Sequence, residues 1–357
     1  MWRLKIPAKS KNSIFNFLRR FPSKQQLGRD RLGILAIGFW IFFGVWCLVF
    51  GLFAVFAADP PPPFTDGKFT LQSGDVVAFL GGENVVIESE TCHLESLLTA
   101  VAGRGVRFRN MGWEGDTVYA QPREVKYPKI SQQLDRFGAT VVFVQFGSME
   151  ALSKPVLPEF VAAYEKFLDQ LAQQTPRIVL VTPTPFEKTE NSLLPDLSAR
   201  NSDLSTYAAA IRELGKRRNL TVADVFTELG AGKSRERLTE NGVRLTTRGQ
   251  AIWAQAIARQ LGLADIARRA GGVSPRGEWK QQDFEHLRQI IITKNRLWYD
   301  YWRPMNWAFL GGDRTEQPSS RDHRNPKVRW FPDEMNQFLP LIEAKEKEIE
   351  ELANKLK

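Results

Sequence analysis

Five short apolar runs divide the middle of the chain: Val76–Leu80, Val106–Met111, Thr140–Phe146, Ile178–Val181 and Thr221–Val225. Each has the length of one buried strand. The segments between them carry apolar residues at helical spacing. Glu88 to Ala102 places Leu94, Leu97, Leu98 and Val101 on one stripe. Gln132–Phe137 continues the pattern, as does Phe160–Gln174 with Phe160, Tyr164, Phe167, Leu168 and Leu171 inward. Asp203–Arg218 and Arg248–Leu261 complete the series. Strands separated by helices of this length predict βαβ units and a parallel, doubly wound sheet. Such sheets place their sites at the carboxyl ends of the strands.

Ahead of this body, Leu32 to Ala58 runs 27 residues without a charge, from position 32 to position 58. About 20 apolar helical residues span a bilayer, so the run predicts a transmembrane helix. Residues 1–31 carry nine basic side chains against Asp30 alone, a net +8 of the chain's +9. The arm therefore predicts a cytoplasmic N-terminus, with everything after Asp59 outside the membrane, in the periplasm. It also locates the basic charge away from the body, which excludes a nucleic-acid groove there. A secretory signal cleaved near Ala57 is the competing reading, and would leave the body secreted. Asp59–Phe64 contains four prolines and predicts a stiff spacer.

Beyond residue 265 the pattern changes. Phe284–Asn295 predicts a helix, followed by the aromatic cluster Trp298, Tyr299, Tyr301, Trp302 and Trp307. Such a cluster either docks on the body or binds a sugar or protein surface. Residues 311–327 predict an exposed loop. Asp333–Lys357 predicts a charged helix, with Ile342, Ile349, Leu352 and Leu356 forming a thin seam suited to weak self-association. The expected organisation is thus a basic arm (1–31), a membrane helix or signal anchor (32–58), a Pro-rich linker (59–69), an α/β domain (70–265) and a helical extension (266–357).

Cys47 and Cys92 are the only cysteines, which excludes a Cys-based metal site. Gly230-Ala-Gly-Lys-Ser234 has the end of a phosphate-binding loop, but Thr227 stands where its first Gly belongs. His93, His286 and His323 have no ligand spacing. No cofactor and no metal is expected.

The strand ends carry the polar residues. They read Gly81-Gly82-Glu83-Asn84, then Asn110 to Thr117 with Trp113, Glu114, Gly115 and Asp116, then Gly147-Ser148-Met149-Glu150, and finally Glu240 to Gly249. In order and spacing these blocks resemble the SGNH/GDSL hydrolase family over roughly residues 70–263. The resemblance implies a flavodoxin-like three-layer α/β/α sandwich and ester hydrolysis, with acylated glycans or lipids as the substrate class. In that family block one ends in a serine nucleophile. Blocks two and three supply a Gly and an Asn to the oxyanion hole, and block five supplies an Asp and a His. The matching positions here are Glu83, Gly115, Met149, Asn241 and Arg244.

Only Gly115 keeps the family residue. Arg244 does not lose its proton at working pH and so is no base. Three readings follow. Glu83, Glu114, Asp116 and Glu150 converge to do acid/base work or hold a hard cation. Alternatively, Arg244 forms an ion pair with Glu83 or Glu150 in place of the lost catalytic pair. Or the pocket around Gly82, Asn84 and Trp113 binds without turnover, with Arg244 gripping an anion and Trp113 stacking on a sugar of a glycan or acyl-ester ligand. Replacement of the missing histidine by His93 is a fourth, remoter possibility.

Overall fold

The computed structural model describes residues 63–64, 68–153, 156–230 and 236–357. Its element order is β1 (Val76–Gly81), α1 (Glu83–Thr91), α2 (His93–Ala102), β2 (Arg107–Asn110), α3 (Ile130–Phe137), β3 (Val141–Gln145), α4 (Leu157–Ala172), β4 (Ile178–Val181), α5 (Asn201–Arg218), β5 (Thr221–Ala223), α6 (Thr247–Gln260), α7 (Ala264–Arg269), α8 (Gln282–Trp302) and α9 (Phe338–Lys355), with a few short single-turn helices between. The strands form one all-parallel sheet in the order β2-β1-β3-β4-β5.

Strand residues alternate between two cores because side chains on a pleat point to opposite faces. Val77, Phe79, Val141, Phe143, Val179 and Val181 enter one, with Leu94, Leu97 and Leu98 of α2 and Trp253 of α6. Ala78, Leu80, Val142, Val144, Ile178 and Leu180 enter the other, with Phe160, Tyr164 and Phe167 of α4 and Tyr207 of α5. Both faces are covered, which is the three-layer sandwich expected.

Four boundaries differ from the sequence reading. The first helix starts at Glu83, not Glu88, so Glu83 and Asn84 lie on a helix rather than a loop. It breaks at Cys92, whose φ of 56° is left-handed, and restarts as α2. Val225 does not end β5 but opens a single-turn helix, Val225–Glu228. The aromatic cluster does not follow a helix: Trp298 and Trp302 sit on α8, which continues through it.

That longer helix changes the status of the C-terminal region. Phe284, Leu287 and Ile291 of α8 belong to the first core, and Trp298 and Trp302 to the second. Helix α8 thus runs past the β2 edge and seals both layers. It also covers the edge strand's carbonyls: Trp298 Nε1 donates to Asn110 O at 2.7 Å and Lys294 Nζ lies 3.4 Å from Phe108 O. An uncovered parallel edge would leave such groups free to pair elsewhere. The described residues therefore form one compact unit, with no break in packing near 265. The seam on α9 is buried within the chain, where Ile342, Ile349 and Leu356 join the two cores and Arg109 pairs with Glu346 at 2.5 Å.

Among the described residues no helix is long and apolar enough to cross a membrane. The expected membrane segment, Leu32–Ala58, lies outside them, as does Ala231–Arg235 of the loop resembling a phosphate-binding motif.

Candidate functional site

Gly81 closes β1 where the chain passes close to β3. A Cβ there would meet Gln145 O at 2.6 Å and Val85 Cγ2 at 2.7 Å, so only glycine fits. The turn over Gly82 then starts α1 with Glu83 in its first turn, where the helix dipole favours a carboxylate. Block two is held beneath it. Asn110 Nδ2 donates to Val85 O at 2.7 Å, Gly112 N donates to Asn110 Oδ1 at 2.9 Å, and Trp113 N donates to Gly81 O at 2.9 Å. Block five is shaped by its own residues. Asn241 Oδ1 accepts from the N–H groups of Val243 and Arg244 at 3.0 and 2.8 Å, making a tight turn. Thr246 caps α6 by accepting from Gly249 N at 2.9 Å. Gly249 itself lies where a Cβ would meet Leu238 O at 2.0 Å.

These constraints bring the block positions Glu83 and Met149 to one cleft and Arg244 onto Glu83, but leave Gly115 outside. Gly82, Glu83, Asn84, Asp116, Met149 and Glu150 line one cleft of about 40 Å³, with Gln145, Gly147 and Val243. Arg244 is at its mouth and is bound by three carboxylates. Its Nη1 donates to Glu83 Oε1, its Nη2 to Glu90 Oε2 at 3.1 Å, and its Nε lies 3.5 Å from Glu240 Oε2. Partial burial pulls the pKa of this guanidinium down, but the Glu83 hydrogen bond and the charges of Glu83, Glu90 and Glu240 outweigh it and raise it. Arg244 is thus a permanent cation in the family's base position, paired with the residue in the nucleophile position. Met149, 45% exposed, offers no side-chain N–H where the family has an amide.

The other candidates have different duties. Asp116 is fixed bidentately by Arg123 at 2.6 and 2.7 Å; burial raises its pKa against the pull of that arginine. Glu150 accepts from Val118 N and Gly147 N at 2.7 and 2.8 Å and so braces the loops; its pKa is raised by burial. It is not a partner of Arg244. Glu114 pairs with Arg303 at 2.6 Å and is outside the cleft, as are Gly115 and Trp113. Three of the four carboxylates thus share the cleft while Glu114 does not, and Glu83, Asp116 and Glu150 are each already bound to an arginine or to backbone N–H groups. Among the described residues no group of three or more His, Cys, Asp or Glu side chains is placed to hold a metal.

Trp113 is not available to stack on a sugar. The guanidiniums of Arg303 and Arg123 lie 3.7 and 4.1 Å from its ring centroid, and Tyr127 and Trp302 meet it edge-on. Nor is Arg244 suited to grip an anion: three carboxylates, Glu83, Glu90 and Glu240, already surround its guanidinium and would repel one. His93 is no substitute base: it is buried, hydrogen-bonded through Nε2 to Gly277 O at 2.7 Å, and packed on Trp279. Burial, with help from Arg288, pushes its pKa down to about 3.

Sequence reasoning missed Glu90 and Glu240. Glu90 follows Glu83 by two helical turns and Glu240 precedes Arg244 by four residues. The first spacing puts Glu90 on the Glu83 face of α1 once that helix starts at Glu83, whereas Glu240 lies in a turn, where a four-residue spacing carries no such signal.

Residues 91–252 match the GDSL-like Lipase/Acylhydrolase family. No curated protein matches the chain. Among solved structures, the chain is similar to Axe2, an acetylxylan esterase from Geobacillus stearothermophilus, at 18% identity over 54% of this chain and 97% of that one, TM-score 0.41. It is similar to LAE5, an alpha/beta hydrolase from the metagenome of Lake Arreo, at 17% identity over 54% and 98%, TM-score 0.43. It is also similar to a gut microbial diltiazem-metabolizing enzyme, at 14% identity over 82% and 96%, TM-score 0.49.

Proposed function

We propose that this chain, whose residues 91–252 match the GDSL-like Lipase/Acylhydrolase family, is an ester-hydrolase-like protein that keeps the scaffold but binds its ligand without an acyl-enzyme step. The observation that carries this reading is the Arg244–Glu83 ion pair. A serine mechanism needs a hydroxyl, a base that can accept its proton, and donors for the oxyanion. Here the hydroxyl is replaced by a carboxylate and the base by a guanidinium. The carboxylate would also repel a developing oxyanion. Loss of triad members costs ~10⁴–10⁶ in rate.

The charge at the cleft mouth favours one kind of ligand. Three glutamates surround one arginine, so the mouth is acceptor-rich and net negative. It suits a group that donates hydrogen bonds, such as the hydroxyls of a glycan or a basic segment of a protein partner, and disfavours a carboxylate or sulfate. The test uses the full-length chain in lipid nanodiscs with p-nitrophenyl acetate and acetylated xylan. We expect no turnover above buffer, and retention of the chain by xylan that weakens in Glu83→Ala. Ester turnover that disappears in Glu83→Ala would overturn the proposal.

We infer further that Leu32–Ala58 tethers the body to a membrane with the basic arm inside and the body in the periplasm. The support is the uncharged length of the run and the nine basic residues before it. In spheroplasts of a bacterial host, added trypsin should digest the body, and alkaline carbonate should leave the chain in the membrane pellet. Release of a body beginning after Ala57 would establish the cleaved alternative.

A further inference from the structure

The extension builds a second concavity away from the Glu83–Arg244 pair. Tyr301 and Trp302 at the end of α8, Trp307 beyond it, and Tyr127, Phe137 and Arg136 of the body wall a cavity of about 270 Å³. The N–H and O–H donors of Trp302, Tyr127 and Trp307 are already committed. Trp302 Nε1 donates to Gln133 Oε1 and Tyr127 OH to Trp302 O. Trp307 Nε1 donates to Val125 O at 3.0 Å, and Tyr301 OH accepts from Arg136 Nη2 at 2.6 Å. What remains for an occupant is mostly carbon and π surface, with the Tyr301 O–H, the Asn336 amide and the Arg136 guanidinium as its polar points. Proline and leucine side chains, Pro128, Pro304 and Leu310, extend the same surface.

One charge stands at the rim. Arg136 is exposed and has no carboxylate partner among the described residues. Its guanidinium lies 5.5 Å from the Phe137 ring centroid and 5.7 Å from that of Tyr301. Most other arginines of the body that reach an aromatic ring also hold a carboxylate: Arg109, Arg123, Arg177 and Arg303 each do.

We propose that this cavity binds a small aromatic carboxylate, with the ring among Tyr127, Tyr301, Trp302 and Trp307 and the carboxylate on Arg136. The chemistry argues against other occupants. A pyranose would bury several hydroxyls where only the Tyr301 O–H and the Asn336 amide stand free to meet them, and unpaired buried hydroxyls are costly. A quaternary ammonium would suit the rings but meets Arg136. An uncharged aromatic fits the walls but leaves the guanidinium unanswered.

The test is isothermal titration of the full-length chain in lipid nanodiscs with trans-cinnamate, and with cinnamamide and glucuronate as the neutral and sugar-acid counterparts. Saturable binding of cinnamate is expected, with both counterparts weaker by about tenfold or more. Arg136→Gln, at an exposed position, should weaken cinnamate by a similar factor and leave cinnamamide unchanged. Arg244→Ala should leave cinnamate binding intact, because the cavity is separate from that site. Absence of saturable cinnamate binding, equal binding of cinnamate and cinnamamide, an Arg136→Gln variant that binds as the parent does, or tighter binding of glucuronate would each overturn the proposal.

Discussion

Replacing Lys294 by alanine is expected to lower the unfolding free energy by about 3–5 kcal/mol, the usual cost of removing one partner from a buried ion pair. Lys294 lies on α8 and is 1% exposed; its partner Glu95 on α2 is 2% exposed. The ammonium places all three of its hydrogens. Nζ is 2.7 Å from Glu95 Oε1, 2.6 Å from Asn295 Oδ1 and 3.4 Å from Phe108 O. The second carboxylate oxygen, Glu95 Oε2, accepts from Asn295 Nδ2 at 2.8 Å, and the same amide reaches Cys92 Sγ at 3.2 Å. One side chain thus joins the extension to the β2 edge and to the break between α1 and α2. In Lys294→Ala the Glu95 carboxylate would be left buried without its counter-charge, beside the space the lysine stem filled. For a body of this size the loss corresponds to a fall in Tm on the order of 10 °C. Urea unfolding of the full-length chain, followed by tryptophan fluorescence, measures it. The double variant Lys294→Met with Glu95→Leu removes both charges and should recover at least half of the loss. A single variant within about 0.5 kcal/mol of the parent would show that α8 is not locked to the body through this pair.

The second large effect is a pH dependence centred on Glu88. This residue is 1% exposed, and burial, which outweighs its hydrogen bonds from Glu95 N at 2.9 Å and Gln250 Nε2 at 3.2 Å, raises its pKa from 4.5 to about 8. The charge of nearby Glu95 adds to the rise. The folded-state value lies above the unfolded one, so the protonated acid is the form that folding favours. Its contribution is fully present below about pH 4.5 and is lost as pH rises through about 8. Across that window the slope approaches about 1.4 kcal/mol per pH unit. His93 acts in the opposite sense. Its pKa falls from 6.5 to about 3, so its contribution is present above 6.5 and is lost as pH falls through 3. Of these two groups, only Glu88 changes between pH 6.5 and 8. Glu88→Gln keeps the shape and removes the titration. The difference in stability between the parent and Glu88→Gln should therefore shift by about 2 kcal/mol between pH 6.5 and 8, against the parent at the higher pH. Denaturation curves at the two pH values give this difference directly. An unchanged difference would mean that Glu88 is ionised in the folded protein at neutral pH.

Much of the site was readable from the chain because four short blocks keep their spacing. Glu83, Met149 and Arg244 are far apart in sequence, yet Glu83 and Met149 line one cleft and Arg244 bonds to Glu83. What could not be read is who else competes for each side chain. Arg303 lies 189 residues from Glu114, and only the docking of α8 brings it onto Trp113 and ends the sugar-stacking role. Glu150 resembled a free acid at a strand end, but two backbone N–H groups had claimed it. The start of α1 was misplaced because Gly82, its N-cap, carries no side chain to signal it. The break at Cys92 was missed because a left-handed conformation at a residue other than glycine has little local signature.

By itself, the sequence determined the order of strands and helices, the two-faced burial of the sheet, and the loss of the serine, histidine and amide groups from the positions that match the family. Those properties follow from hydrophobic period and residue identity, which are local. The tertiary structure alone decided three further things. It made the C-terminal helices part of the body, because α8 and α9 bury residues in both cores and cover the β2 edge. It fixed the partners of Arg244, because α1 and the block-five turn meet only when the sheet is assembled. It also left Arg136 facing an aromatic cavity with no carboxylate partner among the described residues. Each of these depends on which distant groups reach one another first, and that is set by packing rather than by spacing along the chain.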